Sequence, residues 1–179
     1  MGYRVGVLVT WTRYDEAPAL VDPGARPGFI ARAGGFERGR PGAAHVLEFW
    51  SDRFAYHDAG PVDASARTFI TRRELSGGFQ PRMTGVGLLR LTHVRVPGGR
   101  FGEVIDRANR RWEPALAVAS GMLGGFLAEE GNSEVLVLSC WRTFDDHERY
   151  RAEIAARAGE PPPTPGEQVL VDVVPEWGR

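Results

Sequence analysis

The chain has 179 residues, 42% of them hydrophobic, which is enough to bury the core of one ordinary domain or of two small ones. Its 22 basic and 23 acidic residues are spread along the sequence and leave a formal net charge of −1, which argues against nucleic acid and membrane surfaces as partners. The single cysteine, Cys140, and the lack of a long apolar segment predict a cytoplasmic protein without an internal disulfide.

The first half of the chain shows the signals of a β-α-β-β-α-β unit. An apolar segment at residues 5–13 predicts a first strand rather than an export signal, and the prolines that follow leave room for one helical turn or none. Two strands come next, one with the pair Gly34–Gly35 and one, Ala44–Trp50, that ends in tryptophan. A Phe-x-x-His segment at residues 54–57 predicts a helix, and residues 66–75 predict the closing strand.

The second half repeats these signals in the same order. Residues 86–96 predict its first strand, and residues 101–118 predict a long helix with one apolar stripe. The pair Gly124–Gly125 marks the next strand, and Glu134–Trp141 again ends in tryptophan before a second Phe-x-x-His segment at residues 144–147. This repetition indicates that the chain consists of two related units.

The chain closes with a predicted helix and a predicted strand. Residues 145–158 predict the helix, with Thr143 or Asp145 as its N-cap and acidic residues in its first turn. Residues 168–174 predict the strand that completes the second unit.

The two units predict two ferredoxin-like domains in tandem, residues 1–81, which are partly degenerate, and residues 82–179. Such a unit folds as a four-stranded antiparallel sheet with both helices on one face. Both faces of the first strand are apolar or small, so the face without helices must be covered as well. The sheet of the other unit is the natural cover. The sequence therefore predicts an α+β fold in which the two halves form an intramolecular, barrel-like pseudo-dimer.

Residues 28–36, with the sequence GFIARAGGF, and residues 47–50, with the sequence LEFW, resemble the dimeric α/β-barrel superfamily. This superfamily includes the antibiotic biosynthesis monooxygenases, and the resemblance is to an uncharacterised, tandem-domain branch of it. It implies ferredoxin-like units paired through their sheets, with a ligand cavity between sheet and helices. Some members oxidise polycyclic aromatic substrates with dioxygen and without metal or flavin, and others degrade haem or cyclise polyketides.

His93 is the candidate catalytic base. It shares the strand parity of Leu89 and Leu91, so its side chain is expected to point into the interior, where an imidazole titrating near neutral pH can accept a proton. Arg90, on the opposite parity, is the candidate partner for a developing oxyanion. The alternative for His93 is a hydrogen-bonded core histidine.

Asn109 and Trp112, on the predicted long helix, are expected to position a planar, oxygenated substrate, with a core tryptophan and a half-exposed asparagine as the alternative. The remaining candidate substrate contacts are aromatic or histidine side chains near strand ends, for which packing and capping are the alternative roles: Trp11, Trp50, His57, Trp141 and His147. The four histidines show no metal-ligand spacing, so no metal is expected, and the sequence has no phosphate-binding glycine loop, so no cofactor is expected.

The leading functional hypothesis is a cofactor-independent monooxygenase or cyclase acting on an aromatic or polyketide-like small molecule. The intact long helix favours the second half as the place of the ligand cavity. A non-catalytic binding or interaction module is the first alternative. A haem-binding protein, with His57, His93 or His147 as axial ligand, is the second. The internal pairing of the two halves is compatible with a monomer or with a homodimer.

Overall fold

The computed structural model describes residues 6–20, 26–60, 65–76, 84–96, 100–107, 110, 112–131, 133–158 and 166–178. In chain order, its elements are β1 (Leu8–Tyr14), β2 (Phe29–Glu37), β3 (Ala44–Trp50), α1 (Arg53–Asp58), β4 (Arg67–Leu75), β5 (Leu88–Arg95), α2 (Phe101–Arg107), α3 (Glu113–Ala117), β6 (Met122–Glu130), β7 (Glu134–Trp141), α4 (Phe144–Ala158), β8 (Glu167–Val173) and a 3₁₀ turn (Pro175–Trp177).

The eight strands form one closed barrel in the order β1-β3-β2-β8-β5-β7-β6-β4, with every neighbouring pair antiparallel. Strands β4, β1, β3 and β2 lie side by side, and so do β8, β5, β7 and β6, which gives each half the strand order of a ferredoxin-like sheet. Two seams, β2 with β8 and β4 with β6, join the halves into the barrel. The predicted α+β pseudo-dimer is therefore confirmed, while the predicted boundary between residues 81 and 82 lies outside the described residues.

The helix predicted over residues 101–118 is helical at each described position from 101 to 117, with residues 110 and 112 in π-helical geometry between its two α-helical parts; residues 108, 109 and 111 lie outside the described residues. The structure has two short helices there, α2 and α3, and Pro114 stands in the first turn of α3. Proline has no amide hydrogen and its ring crowds the preceding turn, so regular α-helical hydrogen bonds cannot continue through Pro114. At α4 the sequence left two N-caps open, and the structure selects Thr143, whose Oγ1 accepts a hydrogen bond of 3.1 Å from the amide of Asp146.

The main core fills the inside of the barrel. It consists of the side chains that alternate inward along the strands, such as Val9, Leu47, Phe69 and Leu91, and it joins both halves through contacts such as the edge-to-face pair Phe49 and Phe126. Smaller cores cover the outer faces. Helices α2, α3 and α4 pack on the second half, and α1 packs on the first. No helix that the structure describes is long and apolar enough to cross a bilayer.

The β2–β8 seam leaves no room for a side chain at Gly35. Gly35 lies opposite Val173, and a Cβ at this position would overlap the carbonyl oxygen of Asp172. We expect Gly35→Ala to lower the free energy of unfolding by about 3 kcal/mol, because the overlap forces two backbones apart at the junction of the halves. Urea denaturation followed by circular dichroism measures this. Gly102→Ala, in α2 with open space at its Cβ, is the matched control and should not lose stability; equal losses in both variants would contradict the seam argument.

Candidate functional site

The larger of the two cavities described for the chain lies on the outer face of the first half and measures about 340 Å³. We call it the first-half cavity. Its floor comes from β1, β2 and β3, the segment after β1 lines it from above the sheet, and two side chains from outside these elements complete it. Its lining residues are Thr10, Thr12, Tyr14, Pro18, Ala19, Leu20, Arg32, Val46, Glu48, Tyr56 and Ala66. The sequence favoured the second half as the place of the cavity because it gave that half an intact long helix.

Strand parity explains why β1 serves this cavity and the barrel core at once. Successive residues of a strand point to opposite faces, so Thr10 and Thr12 line the first-half cavity while Val9 and Trp11 lie inside the barrel. The prolines of the segment after β1 prevent a continuous helix from packing flat on the sheet, and residues 15–20 contain none. The first-half cavity therefore lies on the outer face of the first half's sheet, whereas helices cover the equivalent face of the second half's sheet.

A buried ion pair lies at the floor of the first-half cavity. Nε and Nη2 of Arg32 donate hydrogen bonds of 3.0 and 2.8 Å to Oε1 of Glu48, and each side chain is only 7% exposed. The β-sheet register puts Glu48 directly opposite Arg32 on one side and opposite Thr10 on the other. A hydroxyl, a carboxylate and a guanidinium thus stand in a row across three strands. None of these three residues was among the candidates derived from the sequence, although the alternation along the first strand already placed Thr10 and Thr12 on the same face.

The second cavity, of about 160 Å³, opens at one end of the barrel, and we call it the barrel-mouth cavity. It is lined by Trp11, Arg13, Ser65, Arg67 and Glu167. Residues 11 and 13 of β1 have the inward parity, so the two cavities lie on opposite faces of the same strand.

His93 points inward at this end of the barrel, as its parity predicted, and both of its ring nitrogens have partners. Nη1 of Arg67 lies 3.0 Å from Nδ1, and Oε2 of Glu134 lies 2.8 Å from Nε2. A guanidinium can only donate, so Nδ1 accepts and the proton of the neutral ring sits on Nε2, where it is donated to Glu134. The geometry corresponds to the hydrogen-bonded core histidine that the sequence left open as the alternative to a base.

His45, which sequence analysis did not single out, has the same arrangement. The indole Nε1 of Trp11 donates to its Nδ1 at 3.0 Å, and its Nε2 lies 3.0 Å from Oε2 of Glu37. The signal was present, because His45 shares the inward parity of Leu47 and Phe49 on β3.

Arg90 and His93 lie on opposite faces of β5 and therefore cannot act on one substrate. Arg90 is on the outer face, where its Nη2 donates to Oε1 of Gln168 at 2.9 Å and burial lowers its pKa. Asn109 lies outside the described residues. Trp112 is half-buried and packs against the core beneath α2, α3 and α4. The structure thus does not bring Arg90 and His93, the two predicted catalytic residues that it describes, together.

The other predicted contacts separate into buried and exposed side chains. Trp50 and Trp141 are completely buried and pack edge-to-face against Tyr56 and His147, respectively. His57 is on α1 and exposed, whereas His147 is on α4 and completely buried. The two Phe-x-x-His segments therefore place their histidines in different environments.

Desolvation shifts the pKa values of buried titratable groups on α4 and in the barrel. Burial, with the nearby Arg90 guanidinium, lowers the pKa of His147 to about 4. Burial also raises the pKa of the Tyr150 phenol and raises that of the Cys140 thiol to about 12. Cys140 is consequently a protonated core residue with no nucleophilic character at neutral pH. Within the described ranges, no three His, Cys, Asp or Glu side chains are grouped so as to hold a metal ion.

Comparison with known proteins supports the fold assignment. No family model and no curated protein matches the sequence. Among solved structures, an uncharacterised ferredoxin-fold protein of Listeria monocytogenes related to antibiotic biosynthesis monooxygenases aligns over 96% of both chains with 7% identity and a TM-score of 0.60. An anthrone oxidase-like protein aligns over 96% of this chain and 92% of its own with 13% identity and a TM-score of 0.60. The chain has the dimeric α/β-barrel fold.

A haem-degrading enzyme of Listeria monocytogenes shares this dimeric α/β-barrel fold. It aligns over 92% of this chain and 98% of its own with 10% identity and a TM-score of 0.51. The resemblance drawn from residues 28–36 and 47–50 is confirmed at the level of the fold, and at these identities the fold hosts several different chemistries.

Proposed function

We propose that the protein is a small-molecule tailoring enzyme, a cofactor-independent monooxygenase or cyclase whose aromatic or polyketide-like substrate binds in the first-half cavity. The observation that carries the proposal is the row of Thr10, Glu48 and Arg32 on the floor of that cavity. Ligand sites are concave and largely apolar, with a few convergent polar groups that fix orientation. Val46, Tyr56 and the segment after β1 supply the apolar and aromatic part, and the anthrone oxidase-like neighbour supports the reaction class.

Glu48 is the base in this proposal, replacing His93. Its carboxylate takes a proton from a substrate C–H made acidic by an adjacent carbonyl and aromatic rings. Before this step the guanidinium of Arg32 is neutralised by Glu48. After it, Glu48 is uncharged and the guanidinium is left to stabilise the substrate enolate, so the buried site never carries a net charge. The hydroxyl of Thr10, opposite Glu48, donates a hydrogen bond that orients the substrate oxygen.

Dioxygen is the oxidant in the monooxygenase form of the reaction. The substrate carbanion forms a bond to one oxygen atom and reduces dioxygen to a peroxide, which recovers the proton from Glu48. The hydroperoxide then loses water, so that a methylene group and dioxygen give a carbonyl group and one water. In the cyclase form, the same carbanion attacks a carbonyl group of its own substrate.

Oxygen uptake with anthrone as the probe tests the proposal. Protein treated with a chelator should consume dioxygen and form anthraquinone in equal amounts, above the rate of the buffer alone. Thr10→Val should raise KM or lower kcat about tenfold, because it removes one hydrogen bond to the substrate. Thr92→Val is the matched control, since Thr92 is buried at the corresponding position of β5 and lines neither described cavity. Binding without oxygen uptake would support the non-catalytic module, and equal losses in the two variants would contradict the site.

A further inference from the structure

Arg67, at the barrel-mouth cavity, is held in place by neutral groups. Its guanidinium carbon lies 5.5 Å from the centroid of the Trp11 ring, and its Nη1 donates to Nδ1 of His93 at 3.0 Å. His93 is in turn fixed by Glu134 and is only 7% exposed. A buried imidazole and an indole therefore orient the guanidinium, while neither group neutralises its charge.

The other arginines at this end of the barrel have carboxylate partners. Arg95 lies 3.4 Å from Glu134, and Arg13 lies 3.6 Å from Glu167. Among the contacts of the described residues, Arg67 has no such partner. Arg67 is an exposed residue that faces a cavity, so its oriented guanidinium is accessible to an anion, for which it is a charge-assisted hydrogen-bond donor.

The lining of the barrel-mouth cavity defines the class of anion. Arg13, Arg67 and Glu167 together carry one net positive charge, which matches a monoanion. Ser65 adds a hydroxyl, and Trp11, which is 4% exposed, adds the accessible apolar edge of its indole. The Arg13–Glu167 pair is long and its side chains are 35% and 41% exposed, so it contributes little and opens readily when an anion arrives.

We propose that the barrel-mouth cavity binds a small organic carboxylate with a flat apolar body. The carboxylate accepts two parallel hydrogen bonds from Arg67, and the body lies against Trp11. A guanidinium matches a carboxylate in this geometry, and the cavity of about 160 Å³ limits the ligand to a small molecule. Arg13 is shared between the ligand and Glu167.

This site is separate from the one proposed for catalysis. Trp11 and Arg13 lie on the opposite face of β1 from Thr10 and Thr12, and Arg67 does not line the first-half cavity. Variants at Arg67 therefore test carboxylate binding without touching the floor on which the proposed reaction depends.

Titration with benzoate, followed by calorimetry and by the indole N–H resonance of Trp11, tests the proposal. We expect saturable binding to the wild-type protein, a shift of the Trp11 resonance, and no binding of the uncharged analogue benzamide. Arg67→Gln should weaken benzoate binding by at least about tenfold, and Arg67→Lys should weaken it less, because the charge remains but the paired donors do not. Glu167→Gln should tighten binding about threefold, because it removes a like charge and frees Arg13.

Arg53→Gln, on the exposed start of α1, is the control and should leave the affinity for benzoate unchanged. Thermal unfolding of each variant establishes whether it is folded. If Arg67→Gln does not fold, the Arg67→Lys and Glu167→Gln variants still decide the test. The proposal is overturned if no benzoate binding is detected at concentrations up to about 20 mM, because a single charge-assisted contact in a cavity gives a lower dissociation constant than that. It is equally overturned by an Arg67→Gln affinity equal to wild type, by benzamide binding as well as benzoate, or by weaker binding in Glu167→Gln.

Discussion

Glu48→Gln is expected to lower kcat about 1,000-fold while changing substrate affinity only a few-fold. A general base contributes roughly two to four orders of magnitude, and an amide cannot accept the substrate proton. The amide oxygen still accepts from Arg32, so the shape of the first-half cavity is kept. The measurement is oxygen uptake and anthraquinone formation at saturating anthrone, together with a separate binding titration under anaerobic conditions.

A second ion pair, with a buried carboxylate and a half-exposed arginine, supplies the control for this variant. Arg72 Nε lies 2.5 Å from Oε1 of Glu129, which is 7% exposed and does not line either described cavity. Glu129→Gln also removes the buried carboxylate partner of an arginine, so it controls for the loss of such a contact; the loss of stability is smaller than at Glu48, because the Arg72 guanidinium stays in contact with water. We expect it to retain wild-type turnover. If both variants lose activity to the same extent, Glu48 acts through stability and is not the base.

Acidification is expected to destabilise the protein through His147. The pKa of this imidazole is about 4 in the folded protein, against about 6.5 in an unfolded chain. Between these values the unfolded chain binds a proton that the folded protein does not, so stability is complete above pH 6.5 and is lost as the pH falls towards 4. His147 alone should account for a loss of about 3 kcal/mol between pH 7 and pH 4.

The environment of His147 explains the direction of this effect. The side chain is completely buried against Trp141, and neither ring nitrogen forms a hydrogen bond with a described residue; Nδ1 only approaches Oε1 of Glu148, at 3.2 Å. Desolvation is the largest cause of the lowered pKa, the Arg90 guanidinium adds to it, Glu148 opposes it and Arg151 adds a smaller repulsion. A proton on this ring therefore has to enter a site that is apolar and already positive.

Comparison of wild type with His147→Phe isolates this contribution from that of the carboxylates. Urea unfolding at several pH values should show a free energy of unfolding that falls by about 3 kcal/mol less in the variant between pH 7 and pH 4. His57→Phe, at the exposed histidine of α1, should keep the wild-type profile. Parallel profiles for wild type and His147→Phe would contradict the argument.

Strand signals in the sequence were accurate because they are local. Ala44–Trp50 and Glu134–Trp141 were predicted with their observed bounds, and the closing strands were placed within one residue. Alternation of side chains along a strand is fixed by backbone geometry, so the inward side of His93 and the outward side of Arg90 were also readable. The apolar stripe of residues 101–118 likewise predicted a helical segment, although it did not predict the change in helix geometry that precedes Pro114.

The candidate site was much less accessible to sequence reasoning. Arg32 and Glu48 are 16 residues apart in the chain, and Arg67 and His93 are 26 apart. Their contacts depend on which strands are neighbours and on the register between them, and neither is encoded in the spacing of residues along one strand. His45 shows the same limit, since its parity was visible but its bonds to Trp11 and Glu37 required the β1–β3 pairing and the turn after β2.

The sequence by itself determined that this protein repeats one order of strands in two halves, which of its strand residues point to the same side, and that the face of each sheet without helices is covered. These properties follow from periodicity and composition, which act over a few residues. Only the tertiary structure decided that the two sheets close into one barrel through β2–β8 and β4–β6, that the larger cavity lies on the half without long helices, and that a row of Thr10, Glu48 and Arg32 forms its floor. Strand pairing between distant segments decides all three, because the hydrogen bonds that set strand order and register join residues far apart in the chain.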